Sequence, residues 1–331
     1  MTHVSLVTIP DVWVSSLTGP FDVLTHSNDL IGDQGKIEAE LVGLDTETFR
    51  TANGMPIAAH RSIHDVTETD VIYIPSLNIG GPVWETGRYD PIVEWMRAMF
   101  DKGARLCGAC TGALLLAETG LLDGREATIH WFAEDTFREN FPKVDLQLER
   151  VLIATGPGGR LMMSGASGAW HDMILYLITR EIGPVAAQAV ARFFLLQWHP
   201  DGQAPYLRFQ EQLDHSDAAI RTAQAWMSKN FTRPQAVEDA MRESGLAERT
   251  FKRRFTKITG YSPIAYVQNL RVEEAKKRLE QGSDPVDEIS WQVGYEDPAF
   301  FRRLFKRITS VTPSTYRRKF QIPKIYQAAA E

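Results

Sequence analysis

At 331 residues the chain is too long for one ordinary hydrophobic core, and its 44% hydrophobic residues suffice to fill two. The overall charge of −6 argues against a polyanion partner for the chain as a whole, but the charge is unevenly spread: from Asp217 onward 21 Lys and Arg face 14 Asp and Glu, net +7, while the first 216 residues hold 15 against 28, net −13. Two cysteines exclude a disulfide framework, and no apolar run approaches ~20 residues, which excludes a membrane-spanning helix.

The opening MTHVSLVTIP lacks the basic region and apolar core of a secretory signal, so a cytoplasmic protein is expected. The first two hundred residues then alternate two kinds of pattern. β-Branched or apolar runs closed by Pro, Gly or polar residues predict strands at 4–9, 37–44, 71–75, 104–109 and 151–155. Between them, helices are predicted at 19–28, 91–102, 111–119, 133–140, 168–180 and 184–198. Such alternation implies an α/β domain with a doubly wound, flavodoxin-like parallel sheet covered on both faces, and ligands of such sheets bind at the carboxyl ends of the strands.

One strand end stands out. Arg105-Leu106-Cys107-Gly108-Ala109-Cys110-Thr111-Gly112 passes from strand into helix with small residues where the backbone must turn. This is the pattern of a nucleophile elbow, with Cys110 at the turn and the positive end of the next helix favouring its thiolate. The pattern serves equally for a small buried residue filling the junction. Cys107 and Cys110 also read as Cys-x-x-Cys, but along a strand their Cα atoms would lie about 10 Å apart, beyond disulfide reach, and no second pair completes a zinc site. No metal or cofactor is expected.

The elbow, followed by Gly120-Leu121-Leu122-Asp123-Gly124 and Thr128-Ile129-His130-Trp131, and preceded by Gly19-Pro20-Phe21-Asp22-Val23-Leu24, resembles the ThiJ/PfpI superfamily in its GlxA-like branch of transcription regulators. Catalytic members pair the elbow cysteine with a carboxylate from the first strand-helix loop and often with a histidine. The resemblance carries over to Cys110, and His130 falls where several members have their histidine. With the loop placed at Trp13-Val14-Ser15-Ser16, no acid corresponds, and Thr111 stands where peptidase-like members have histidine. A thiol without its acid is a poor nucleophile, so the resemblance implies a domain that binds rather than converts. Its pocket candidates are Trp13, Asn53, Gly80 and Gly81 of the 78–81 loop, Cys110, Thr111, His130 and Trp131. Trp13 and Trp131 could cage a quaternary ammonium, and the branch includes sensors of nitrogenous metabolites, but ordinary core or rim tryptophans fit as well. His130 is equally consistent with a structural role.

The domain is expected to span 1–199, with 200–216 as linker, 217–320 as a second domain and 321–331 as a tail. The 193–196 Phe-Phe-Leu-Leu run suits a dimer interface or the core. Helices are predicted at 219–230, 234–243, 247–259, 264–281, 286–292 and 298–308. Sliding the sequence by fifty residues lays Phe251, Arg253, Phe255, Ile258, Thr259, Pro263 and Tyr266 on Phe301, Arg303, Phe305, Ile308, Thr309, Pro313 and Tyr316. Each copy follows a short amphipathic helix and a glycine turn, so this all-α domain holds two helix-turn-helix motifs. With the aromatic pair inward, Arg249, Lys252, Arg253 and Lys257 face outward in the first copy, and Ala299, Arg302, Arg303, Lys306 and Arg307 in the second.

Residues 219–320 resemble the AraC/XylS DNA-binding domain, with Gly260-Tyr261-Ser262-Pro263, Val293-Gly294-Tyr295, Arg271 and Ala275 among the matching pieces. Ala247 departs where a Ser cap is usual, and Ser310 where glycine is usual. The resemblance implies a homodimeric regulator of double-stranded DNA, answering to a small-molecule effector and, if an activator, touching RNA polymerase. The competing expectations are a Cys110 hydrolase or lyase fused to a DNA-binding domain, and a Cys110 redox sensor.

Overall fold

The structure, a computed structural model, describes residues 1–32, 36–81 and 83–323; the tail expected at 321–331 thus lies largely outside the described residues. The chain divides into two compact units after Gln203. In the first unit the elements run β1 (Thr2–Val7), α1 (Val14–Ile31), β2 (Ile37–Gly43), β3 (Phe49–Arg50), β4 (Pro56–Ile57), β5 (Arg61–Ser62), β6 (Val71–Ile74), α2 (Asp90–Asp101), β7 (Arg105–Ala109), α3 (Gly112–Glu118), β8 (Glu126–Ala127), α4 (Glu134–Asn140), β9 (Asp145–Leu146), β10 (Leu152–Thr155), β11 (Leu161–Ser164), α5 (Trp170–Glu181) and α6 (Pro184–Phe193).

The main sheet has the order β10-β11-β7-β6-β1-β2-β5. β6 (VIYI) and β11 (LMMS) are buried at every residue, as expected of strands covered on both faces. Helices α1, α5 and α6 pack on one another, and α2 packs on α3. The sheet is parallel except at one edge, where β10 runs antiparallel to β11. The sequence pattern predicts one more parallel strand at 151–155 and none at 161–164. The connection after Thr155 is too short for a crossover and turns through Gly156, Gly158 and Gly159, all at positive φ, so the strands form a hairpin.

Helix α1 also begins earlier than predicted, at Val14 rather than residue 19, because Pro20 sits inside the helix instead of opening it. The proline has no N–H for the Ser16 carbonyl four residues back, and the Tyr73 hydroxyl, buried in β6, donates to that carbonyl at 3.0 Å instead. Burial pushes the Tyr73 phenol well up, so it stays a donor.

The second unit is helical: α7 (Ala218–Asn230), α8 (Ala236–Glu243), α9 (Glu248–Thr259), α10 (Pro263–Gln281), α11 (Val286–Gln292), α12 (Pro298–Thr309) and α13 (Pro313–Phe320), the last not anticipated as a separate helix. Two cores lie side by side. One gathers Ile220, Met227, Phe251, Phe255 and Tyr266; the other gathers Leu279, Ile289, Phe301, Phe305 and Tyr316. They define a first and a second lobe joined by α10, whose 19 residues span about 28 Å. Arg271 of α10 rivets the lobes: its guanidinium donates to the carbonyls of Phe231 (2.6 Å) and Arg233 (2.9 Å) in the first and lies 4.8 Å from the Tyr295 ring in the second. Opposite, Gly294 has φ 93, and a Cβ there would meet the Thr232 carbonyl oxygen at 2.3 Å.

Candidate effector site and nucleic-acid interface

β7 enters α3 through Cys110, which adopts φ 54, the left-handed region that costs an L-residue about 1–2 kcal/mol. The close approach of β6 maintains this turn. A Cβ on Gly112 would lie 2.4 Å from the Pro75 oxygen and 2.6 Å from that of Ile74, and the Cys110 amide donates to Ser164 of β11 at 2.8 Å. The side chain is 3% exposed, and its Sγ lies 3.3 Å from Ser167 Oγ. Cys107 is sealed inside β7, where burial pushes its thiol far up; both cysteines are free.

Three loops at the strand ends are stitched around this turn. Trp13 N donates to Ser76 O at 2.9 Å, Asn78 N to Asp11 O at 2.7 Å, and Ser16 Oγ accepts from Ser76 N at 2.9 Å. Thr111 Oγ1 donates to Leu77 O at 2.6 Å and accepts from Leu77 N at 2.7 Å, so its hydroxyl is committed to the backbone. Trp13 is thus joined through the 76–78 loop to the elbow, with its indole half exposed. Gly80, at φ 71, and Gly81 lie exposed further along that loop, where Asn78 Oδ1 accepts from Gly80 N. Asn53 lies apart, exposed in the turn between β3 and β4, and among the described residues no hydrogen bond ties that hairpin to the elbow.

His130 caps a short turn over Trp131–Ala133: its Nδ1 accepts from Phe132 N at 3.0 Å, which leaves the neutral ring's proton on Nε2. Burial holds its pKa below the usual histidine range. The Trp131 ring lies 5.0 Å away. Gln203, 2% exposed, links this region to the elbow side: its Nε2 reaches Thr128 Oγ1 (3.1 Å) and Ile129 O (3.2 Å), and its Oε1 accepts from Ala166 N (2.9 Å), next to Ser167. Ser167 and Gln203 were not singled out from sequence, where neither carries a pattern of its own.

An acid of the first loop was also passed over. Because α1 starts at Val14, residues 14–16 lie in its first turn and the loop occupies 8–13, which carries Asp11. The Asp11 carboxylate accepts from Arg88 Nη1 at 2.6 Å and from Tyr89 Oη at 2.7 Å.

In the second unit α9 and α12 present matching faces. From Phe251 and from Phe301 onward the two helices bury and expose the same positions, except that Arg254 is half-buried where Leu304 is buried. Leu304 packs in the second core, whereas Arg254 grips Asp217, the N-cap of α7, through Nε (2.9 Å) and Nη2 (2.7 Å). Arg249, Lys252, Arg253 and Lys257 are exposed on α9, as are Ala299, Arg302, Arg303, Lys306 and Arg307 on α12. Several hold acids: Lys252 bonds Glu248 at 2.5 Å, Arg302 bonds Asp287, and Arg303 lies 3.9 Å from Asp297. Both turns before these helices use positive-φ glycines, Gly245 and Gly294, and Asp297 caps α12 by accepting from Ala299 N. Ala247 gives α9 no side-chain cap.

Residues 3–148 match the DJ-1/PfpI family, and residues 241–319 match a helix-turn-helix domain. The chain joins a DJ-1/PfpI domain to an AraC-type helix-turn-helix domain. It is 26% identical over 264 residues to the HTH-type transcriptional regulator CdhR of Pseudomonas aeruginosa, covering 80% of this chain and 76% of that one. It is 28% identical over 225 residues to the HTH-type transcriptional regulator GlxA of Rhizobium meliloti, covering 68% of each. The DJ-1/PfpI part is also similar to an enzyme, the isonitrile hydratase of Pseudomonas putida, at 27% identity over 188 residues, 57% of this chain and 75% of that one. No helix of the described residues is long and apolar enough to cross a membrane.

Proposed function

We propose that this chain is a DNA-binding transcription regulator whose DJ-1/PfpI domain holds a small-molecule effector. The observation that carries the reading is the repeat made structural: α9 and α12 expose matched basic faces over matched aromatic cores. In this reading Arg249, Lys252, Arg253 and Lys257 enter one major groove, and Ala299, Arg302, Arg303 and Lys306 the next, about 34 Å along one face of the duplex. Arginine suits guanine edges and lysine suits phosphate. The acids now holding Lys252 and Arg302 exchange for DNA phosphates, as exposed pairs hold too weakly to resist.

The effector sits at the carboxyl ends of β1, β6, β7 and β11, over Cys110, between Trp13 and the His130–Trp131 turn. A neutral His130 offers an Nε2 donor, and the indoles offer π faces for a nitrogenous cation. Thr111 contributes through its backbone position rather than its occupied hydroxyl, and Asn53 remains the weakest member of the set. The domain senses rather than catalyses: Cys110 Sγ meets a serine hydroxyl, and the Asp11 carboxylate already serves Arg88 and Tyr89. We place the chain in the cytoplasm, as a homodimer that meets RNA polymerase where it activates.

The test is proton NMR of a mixed metabolite extract with and without the full chain. A resonance that broadens while its integral holds identifies the effector, and loss of that broadening in His130→Ala places it. A resonance that disappears while a product grows, or conversion of an added isonitrile, would show instead that Cys110 is a catalyst.

A further inference from the structure

The segment that follows Gln203 is built into the second unit rather than strung before it. Ala204–Tyr206 form a short helical turn in which Ala204 and Pro205 are buried. The Tyr206 ring stacks edge-on to Phe320 of α13 at 5.0 Å, with Lys319 Nζ 4.9 Å from its centre. The Leu207 carbonyl accepts from Lys276 Nζ of α10 at 2.7 Å, and that lysine is only 4% exposed. This end therefore belongs to the second lobe.

The other end belongs to the first. The Phe209 ring stands between those of Tyr261 (5.3 Å) and Tyr266 (5.0 Å). Glu211 accepts from Tyr266 Oη at 2.7 Å and from Ser228 Oγ, and the Gln212 carbonyl accepts from the wholly buried Gln224 at 3.0 Å. The repeat explains why the segment is needed here. Tyr266 and Tyr316 are equivalent, and each packs on the second phenylalanine of its reading helix, Phe255 at 5.1 Å and Phe305 at 5.5 Å. Tyr316 finds its carboxylate within α10, at Glu280, 2.6 Å away. Among the described residues Tyr266 has its carboxylate only from the segment, at Glu211; a buried phenol without an acceptor would be destabilising.

We infer that residues 204–212 are a positioning strap for DNA reading, seated in both lobes so that they fix the distance and angle between α9 and α12. The route to α9 runs Glu211 to Tyr266 to Phe255; the route to the second lobe runs Tyr206 to Phe320 and Leu207 to Lys276. None of these residues need touch DNA. The inference rests on the regulator reading, since it concerns how two DNA-reading helices are spaced.

The experiment uses the full chain and a two-element site selected by the wild type from a random DNA pool. Affinities are measured on that site and on a copy with two base pairs inserted between its elements, for wild type, Glu211→Gln, Phe209→Ala, Tyr206→Leu and, as a control, Val293→Ala in the core of the second lobe. Wild type and the control should discriminate between the two spacings by about tenfold or more, equivalent to ~1.4 kcal/mol. The strap variants should bind the selected site less tightly and discriminate by no more than about threefold, because a freed pair of lobes adapts to either spacing. Strap variants that weaken on both sites while keeping the wild-type ratio would overturn the inference and leave the segment a stabilising brace. Should Phe209→Ala fail to fold, the conservative Glu211→Gln and Tyr206→Leu decide the same question. If the wild type selects no two-element site, the regulator reading itself falls, and the strap with it.

Discussion

Three non-glycine residues adopt a left-handed backbone among the described residues, Cys110, Leu195 and Ser310, and they differ in what the strain serves. At Cys110 it lifts a side chain above the sheet, which is a reason to keep it. At Ser310 the repeat supplies the comparison: Gly260, its counterpart after α9, adopts φ 74, and Ser310 adopts φ 63 with a Cβ that disfavours it. Ser310→Gly should therefore stabilise the second lobe by about 0.5–1 kcal/mol, the left-handed strain being partly offset by the looser glycine chain. Urea unfolding followed by tryptophan fluorescence would read it as a higher midpoint at unchanged slope; a lower midpoint would mean that the serine is not strained. At this scale the sequence was readable where the residue type itself is the signal. Cys110 between Gly108 and Gly112 announced a sharp turn. Asp11 did not, because the resemblance around Pro20-Phe21-Asp22-Val23 points to 13–16, which the structure places at the start of α1. Gln203 could not be read at all: it matters because Gly165, whose Cβ would stand 2.0 Å from its side chain, leaves room for it, and no local pattern joins those two positions.

Among elements, the helix-turn-helix pairs were the most legible part of the chain, since an aromatic pair four residues apart, repeated at fifty, leaves one inward face for each helix. The edge of the sheet was the least legible. Leu161-Met162-Met163-Ser164 is too short and too poor in β-branched residues to declare itself, and it becomes a strand only because β7 offers it a parallel edge. The outward faces of α9 and α12 lead to a paired expectation. Lys257 and Lys306 sit toward the C-terminal turns, suited to phosphate, whereas Arg253 and Arg303 lie mid-helix, suited to bases. Lys257→Ala should weaken binding to selected and random DNA alike and reduce the slope of log K against log salt by about 0.9. Arg303→Ala should cost about 1–3 kcal/mol on the selected site and leave random DNA nearly untouched. Equal losses on both DNAs for Arg303→Ala would show that it only grips the backbone. Titrations at several salt concentrations separate the two cases.

At the scale of the whole molecule, the two units answer to acid in different ranges. In the first unit burial holds His130 below the usual histidine pKa, and it does the same to His171, where Asp172 raises and His199 lowers the value further. A histidine that resists protonation when folded takes up its proton more readily when unfolded, so between about pH 6.5 and the depressed folded values the unfolded unit binds more protons. Stability of the first unit should therefore be full above about pH 7 and decline as pH falls through that window. The second unit has a different sensor of acid. At Asp217 burial raises the pKa, but the hydrogen bonds from Arg254 and from the first turn of α7 outweigh it, and Glu248 is lowered by Lys252. Carboxylates held low contribute stability above their unfolded pKa of about 4 and lose it only as pH falls below that. With separate cores, the units are expected to melt in separable steps. Calorimetry between pH 7.5 and 5 should thus show one transition moving down with acid and the other nearly still. His130→Asn, which keeps a side-chain acceptor for the Phe132 amide, should shrink that movement; an unchanged movement would assign the acid response to His171 alone or to groups outside the proposed effector site.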